Sequence, residues 1–232
     1  YVNHVIALLP GAAANVGGDS VEAQMDDQMI VVMAPYDSPP PDPDGLLRPA
    51  ANDNASGAAL MLEAIRAMQE SGYRPNRSFL FVAYSAQGLE GGEDASHPDP
   101  GDFLKARIGF ANAFNIEAVV EIRGLGAGAG EGLALSTGGS QRLADLFERA
   151  AKNAGVSVAR VDEGVDFNRV FETGSVRDSG QEAPRIALSW QGWEETSFTP
   201  EDTPDKLSED KLEKAGRTLS LALMILGREK EY

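Results

Sequence analysis

Hydrophobic positions along this chain follow two rhythms. Continuous apolar runs occur at "QMIVVMAPY" (28–36), "SFLFVAY" (78–84) and "IEAVVEI" (116–122), with shorter ones at "HVIALLP" (4–10) and "RIALSW" (185–190). An unbroken apolar run of this kind marks a strand buried on both faces. Between the runs, apolar residues recur every three or four positions, the spacing of one helix face. Residues 55–71 align Leu60, Ala64 and Met68, with Asn54 placed to cap the start, Gly72 to end the helix and Pro75 to prevent its return. Residues 140–154 align Leu143, Phe147 and Ala151, with Gly155 as the stop. Residues 208–227 align Leu212, Gly216, Leu219, Leu223 and Leu226, with Ser208 as cap and Glu209 and Asp210 in the first turn. Buried strands alternating with helices predict a mostly parallel sheet covered on both faces. The irregular stretches 37–50, 87–102 and 123–132 each follow a strand, so they should gather at one sheet edge, where ligands of such folds sit.

Composition narrows the function. The 232 residues suit one domain, 1–232. A net charge of −16 argues against nucleic acid, because binding a phosphate backbone needs Lys and Arg. With no cysteine, thiolate ligands, disulfides and Cys nucleophiles are excluded. No apolar run reaches the roughly 18–20 residues of a membrane helix. The chain starts at Tyr1 rather than Met, which fits a domain excised from a larger membrane or secreted protein. "EIRGLGAGAGEG" superficially looks like a phosphate loop but lacks the G-x-x-x-x-G-K-[ST] pattern, and a strand-like segment follows it. A serine hydrolase is excluded for want of G-x-S-x-G.

Six segments in order resemble the M28 family of zinc aminopeptidases. They are "VIALLPG", "VVMAPYDS", "ANDNASGAALMLEAIRAM", "RSFLFVAYSAQGLEGG", "VVEIRGLGAG" and "SFTPEDTPDKL". The resemblance spans most of the chain. It implies an α/β fold with a mixed, mostly parallel central sheet of about eight strands and helices on both faces. It also implies two zinc ions that acidify a shared water, held by His and carboxylate ligands beside a separate carboxylate base.

Set against the family's motifs, the ligand positions are largely changed. The first His matches Pro35, the bridging Asp matches Asn52, and the last His matches Phe198. The Glu-Glu pair falls on "SAQGL", with Gln87 the nearest polar residue, and the fifth ligand matches Glu121, which survives. The chain contains two histidines: His4, in the first strand and expected far from the site, and His97, a solvated loop residue or a compensating ligand. Neighbouring residues of the motifs persist, among them Asp37, Asp53, Ser56, Gly57, Asp202 and Thr203.

The resemblance therefore implies a pseudopeptidase, with no catalytic zinc and a binding or assembly role toward a protein or peptide partner. Some members of the family are non-catalytic extracellular or luminal domains of membrane proteins, which implies an extracytoplasmic location. The alternative is an active aminopeptidase that uses zinc in a single-metal or rearranged site. A third reading has Asp37, Asp53 and Glu121 hold Ca²⁺ or Mg²⁺, which prefer oxygen ligands. Each residue also has a structural role to weigh. Asp37 suits a turn or helix-end hydrogen bond. Asp53, which the family places beside an often cis peptide, suits backbone N–H groups near the 55–71 helix. Glu121 suits an ion pair with Arg123 or Arg177. Trp190 and Trp193 suit either a cleft wall or core packing.

Overall fold

Unbroken apolar runs demand burial on two sides, and the central strands receive it. The structure, a computed structural model, describes residues 4–11, 28–38, 44–85, 115–137, 140–161, 183–197, 199–230 and 232; Gln87, His97, Arg177 and Phe198 lie outside them. The strands are β1 (Val5–Leu9), β2 (Gln28–Pro35), β3 (Ser78–Tyr84), β4 (Asn115–Ile122), β5 (Gly132–Thr137), β6 (Ser157–Val161) and β7 (Arg185–Trp190). They form one sheet in the order β1-β3-β2-β4-β7-β5-β6, seven strands among the described residues where about eight were expected. The β3-β2-β4-β7 centre is parallel. β1 runs antiparallel to β3 and β5 antiparallel to β7.

Three helices, α1 (Gly57–Glu70), α2 (Gln141–Asn153) and α3 (Glu209–Arg228), bury their apolar stripes against one face. Leu219, Leu223 and Leu226 of α3 are fully buried, each contributing roughly 2 kcal/mol relative to exposure. Ser140 and Ser208 cap α2 and α3 by accepting from Leu143 N and Lys211 N. The opposite sheet face, Met29, Val31, Met33, Leu80, Val82 and Val119, is also buried.

Asn54 does not cap α1. The helix begins at Gly57, after an irregular turn at Ala51–Ser56, and its N-cap, Ser56, makes no capping side-chain bond. The Asn54 amide is spent across the strand ends instead.

The end of the sheet remote from these loops is tied to the C-terminal residues. Arg77 is 2% exposed and donates from Nη1 to the carbonyls of Leu226 and Glu229, 2.6 Å each. The Tyr232 ring lies 4.0 Å from the Arg142 guanidinium carbon, and its hydroxyl donates to Glu117 Oε1 at 3.0 Å. A buried guanidinium needs this many acceptors to offset its desolvation.

Candidate functional site

β2 and β4 are neighbours and parallel, so their carboxyl ends leave two carbonyls side by side without a next strand residue to receive. Asn54 Nδ2 donates to both, Pro35 O at 3.1 Å and Ile122 O at 2.8 Å. Its Oδ1 accepts from Gly124 N at 3.0 Å. The Asp53–Asn54 peptide is cis. Asp202, fully buried, accepts Asn52 N on Oδ1 (2.6 Å) and Asp53 N on Oδ2 (3.0 Å). The turn that carries the conspicuous "ANDNAS" segment is thus held from both ends by side chains that satisfy buried backbone groups.

Asn52, matched by motif to the bridging ligand, is turned to backbone. Its Oδ1 accepts from Gly126 N and Ala127 N, both 2.8 Å, and its Nδ2 donates to Ala127 O at 3.3 Å. Ser56 Oγ donates to Asn52 O and accepts from Leu125 N. The amides of residues 124–127 are therefore taken by protein side chains, so the glycine-rich loop is no anion cradle. Its glycines serve close packing: a Cβ on Gly124, at φ 52°, would meet the Trp193 ring at 2.6 Å. An Asn52→Asp variant replaces the donor to Ala127 O with an acceptor and adds a buried charge beside Asp202. We expect it to lose about 2 kcal/mol in urea unfolding and to gain no zinc affinity; unchanged stability with tight zinc binding would contradict this.

One residue on, the Asp53 side chain approaches Glu121. The two carboxylates, 2% and 1% exposed, share a cation: Arg123 Nε lies 3.6 Å from Asp53 Oδ1 and 3.8 Å from Glu121 Oε1. Glu121 and Arg123 stand at i and i+2 at the end of β4, the spacing that puts side chains on one face. Tyr84, at the end of β3, donates its hydroxyl to Glu121 Oε1 at 3.1 Å. Burial pushes the Glu121 carboxyl above its ordinary range, against the pull of Arg123 and the Tyr84 bond. Burial likewise raises the Tyr84 phenol well above its usual value, and the Glu121 charge adds to this. The Arg123 guanidinium carbon sits 5.7 Å from the centre of the Trp193 ring. Asp53, expected to accept backbone N–H groups near α1, faces Arg123 instead.

His4 is at this end of the molecule, not far from it. Because β1 runs antiparallel to β3, its first residues lie beside the last of β3. Ser85 N donates to His4 Nδ1 at 3.3 Å, while Ser85 Oγ donates to Asp37 Oδ2. Burial lowers the His4 pKa and Asp37 opposes that shift. Asp37 is thus engaged by the residue that follows β3. Trp190 (2% exposed) and Trp193 (7%) are packed inside, so neither walls an open cleft. Trp190 Nε1 donates to Gly130 O at 2.7 Å.

The structure brings Asp53 and Glu121 together and leaves Asp37 with Ser85. Among the described residues no three His, Cys, Asp or Glu side chains group closely enough to hold a metal ion. At the end of β2, Pro35 offers no side-chain donor, and Asn54 takes its carbonyl. Among the described residues, Asp53 and Glu121 both lie within 4 Å of the Arg123 guanidinium, whereas a zinc site gathers several nitrogen and oxygen ligands about the ion. Arg123 was legible as a partner of Glu121, since the E-x-R spacing is local. Its pairing with Asp53 was not, because Asp53 arrives from a separate turn.

Solved structures share this fold. The chain is 21% identical to BSAP, a zinc aminopeptidase from Bacillus subtilis, over 99% of this chain and 51% of that one, with TM-score 0.67. It is 22% identical to the aminopeptidase from Aneurinibacillus sp. strain AM-1, over 98% and 48%, with TM-score 0.67. It is 16% identical to the LapA aminopeptidase of Legionella pneumophila, over 97% and 59%, with TM-score 0.66. The chain spans about half the length of the first two. The sequence profile of peptidase family M28 matches residues 15–223, nearly the whole chain, and the chain belongs to that family.

Proposed function

We propose that this M28 domain binds rather than hydrolyses: a pseudopeptidase without catalytic zinc, acting outside the cytoplasm through a protein or peptide partner. The observation that carries the reading is the donor set at the strand ends. Among the described residues it holds the Asp53 and Glu121 carboxylates around Arg123, with proline at the end of β2 and an amide, Asn52, saturated by backbone. A water clamped between two zinc ions supplies the family's nucleophile, and that chemistry needs imidazole or carboxylate ligands on both ions. The net charge of −16 favours a cationic partner surface. Among the described residues no helix is long and apolar enough to cross a membrane.

A second reading, an aminopeptidase with a rearranged or single zinc, is favoured by the proximity of Asp53 and Glu121. Elemental analysis after purification with added zinc separates the two, run alongside release of a chromophore from aminoacyl substrates with and without chelator. The expected result is well under one zinc per chain and no chelator-sensitive release. About two zinc ions per chain with chelator-sensitive release would establish the catalytic reading in its place.

A further inference from the structure

We infer that Arg123 is the resident cation of this site: its guanidinium, tethered to the chain, supplies the positive charge that lets Asp53 and Glu121 be buried together. Two adjacent carboxylates are buried together as anions only with a counter-ion, because each loses its hydration and repels the other; without one, a carboxyl keeps its proton. In this fold that counter-ion can be a bound metal or a side chain. Arg123 Nε is within 4 Å of both, at 3.6 and 3.8 Å, while the carboxylate side chains are 2% and 1% exposed. The guanidinium is held on its other side by the face of Trp193, 5.7 Å away. Its backbone is fixed as well. Arg123 N donates to Leu188 O at 3.0 Å, continuing the β4–β7 pairing, and the next amide, Gly124 N, donates to Asn54 Oδ1. Trp193 in turn reaches Arg123 only because residue 124 is glycine, any Cβ there meeting the indole at 2.6 Å.

Placement and support both bear on the role. A surface arginine pairs by chance with whatever acid is near, and such pairs are worth little. Arg123, at 22% exposure, reaches inward from the rim to carboxylates donated by two different segments, the end of β4 and the turn before α1. The charge thus joins the end of β4 to the irregular turn before α1. Lysine is a poorer substitute, since an ammonium lacks the planar, delocalised charge whose face Trp193 meets.

This assignment rests on the non-catalytic reading, and variants test it separately. Thermal unfolding is measured for the whole chain as wild type, Arg123→Lys, Arg123→Met and the triple variant Arg123→Met/Asp53→Asn/Glu121→Gln. Each is run in chelator and then with millimolar Mg²⁺, Ca²⁺ or Zn²⁺. The wild-type midpoint should not move with any of these ions. Arg123→Met should fall by roughly 10 °C, the effect of stranding buried charges in a domain of this size. Arg123→Lys should recover part of the loss and the triple variant most of it, because the amides need no counter-ion. A divalent cation should raise the midpoint of Arg123→Met alone. If Arg123→Met does not fold, folding of the triple variant supports the assignment equally well. An Arg123→Met midpoint within a degree of wild type, or a triple variant no better than Arg123→Met, overturns it. Zinc bound by the wild type would instead overturn the non-catalytic reading.

Discussion

Replacing Asp202 by alanine is expected to lower the unfolding free energy by about 3–5 kcal/mol, among the largest losses available to one side chain in this protein. Asp202 is fully buried and accepts two backbone N–H groups, those of Asn52 and Asp53, one on each carboxylate oxygen. Hydrogen bonds to a charged acceptor contribute about 1.5–3 kcal/mol each, and removing the acceptor leaves both donors buried without it. Ala51 N also donates to Asp202 O, so the backbone tie survives the substitution while the side-chain ties do not. The turn that presents Asp53 to Arg123 should therefore loosen before the sheet does. Urea unfolding at constant slope measures the loss, and near-ultraviolet circular dichroism of Trp193 reports the site. Asp202→Asn keeps one acceptor oxygen and should lose roughly half as much. A loss under about 1 kcal/mol for the alanine variant would show that water replaces the carboxylate and that the turn is self-supporting.

The second large effect is alkaline. Burial raises the phenol of Tyr232 to about 12, with the Glu117 carboxylate adding to the shift. Burial raises Tyr73 and Tyr84 as well. A raised folded-state pKa means the native state holds the proton more tightly than the unfolded chain. The contribution is complete below the unfolded value near 10 and is lost as pH climbs through the folded value. Stability should thus be flat from pH 8 to 10 and fall steeply above it. Tyr232 alone accounts for about 2 kcal/mol by pH 12, after allowance for its partial contact with solvent. The structural reason is plain for each ring: Tyr73 donates to Met224 O, Tyr84 to Glu121 and Tyr232 to Glu117, and a phenolate can donate to none of them. Urea midpoints at successive pH values should show the fall, and Tyr232→Phe should show a shallower one. An unchanged slope in that variant would assign the alkaline loss to other groups.

How much of this was readable beforehand depends on whether a feature is local. The runs at 28–36, 78–84, 116–122 and 185–190 became β2, β3, β4 and β7 because a strand buried on both faces has no polar positions to disguise it. Helix α3 carries its serine cap, Ser208, in the expected place, since a cap is a contact across three residues. β6 escaped notice for the converse reason. "SVARV" lies at the sheet edge with an exposed and half-buried pattern, so it lacks a continuous apolar run. Asn54 was misread as a helix cap because its composition is that of a cap, while its true partners, Pro35 O and Ile122 O, are distant in sequence.

The amino-acid sequence alone determined the α/β class, the order of the main buried elements, the M28 resemblance and the scarcity of imidazole. These follow from side-chain chemistry and short-range periodicity, which survive without coordinates. Only tertiary structure decided that β1 runs antiparallel to β3 and so sets His4 beside Ser85 at the end of β3, that Asn52 faces a loop, and that Asp53 meets Glu121 across Arg123. Strand direction and the convergence of separate turns depend on which surfaces pack together, and a linear pattern of polar and apolar residues is silent about the partner each surface will find.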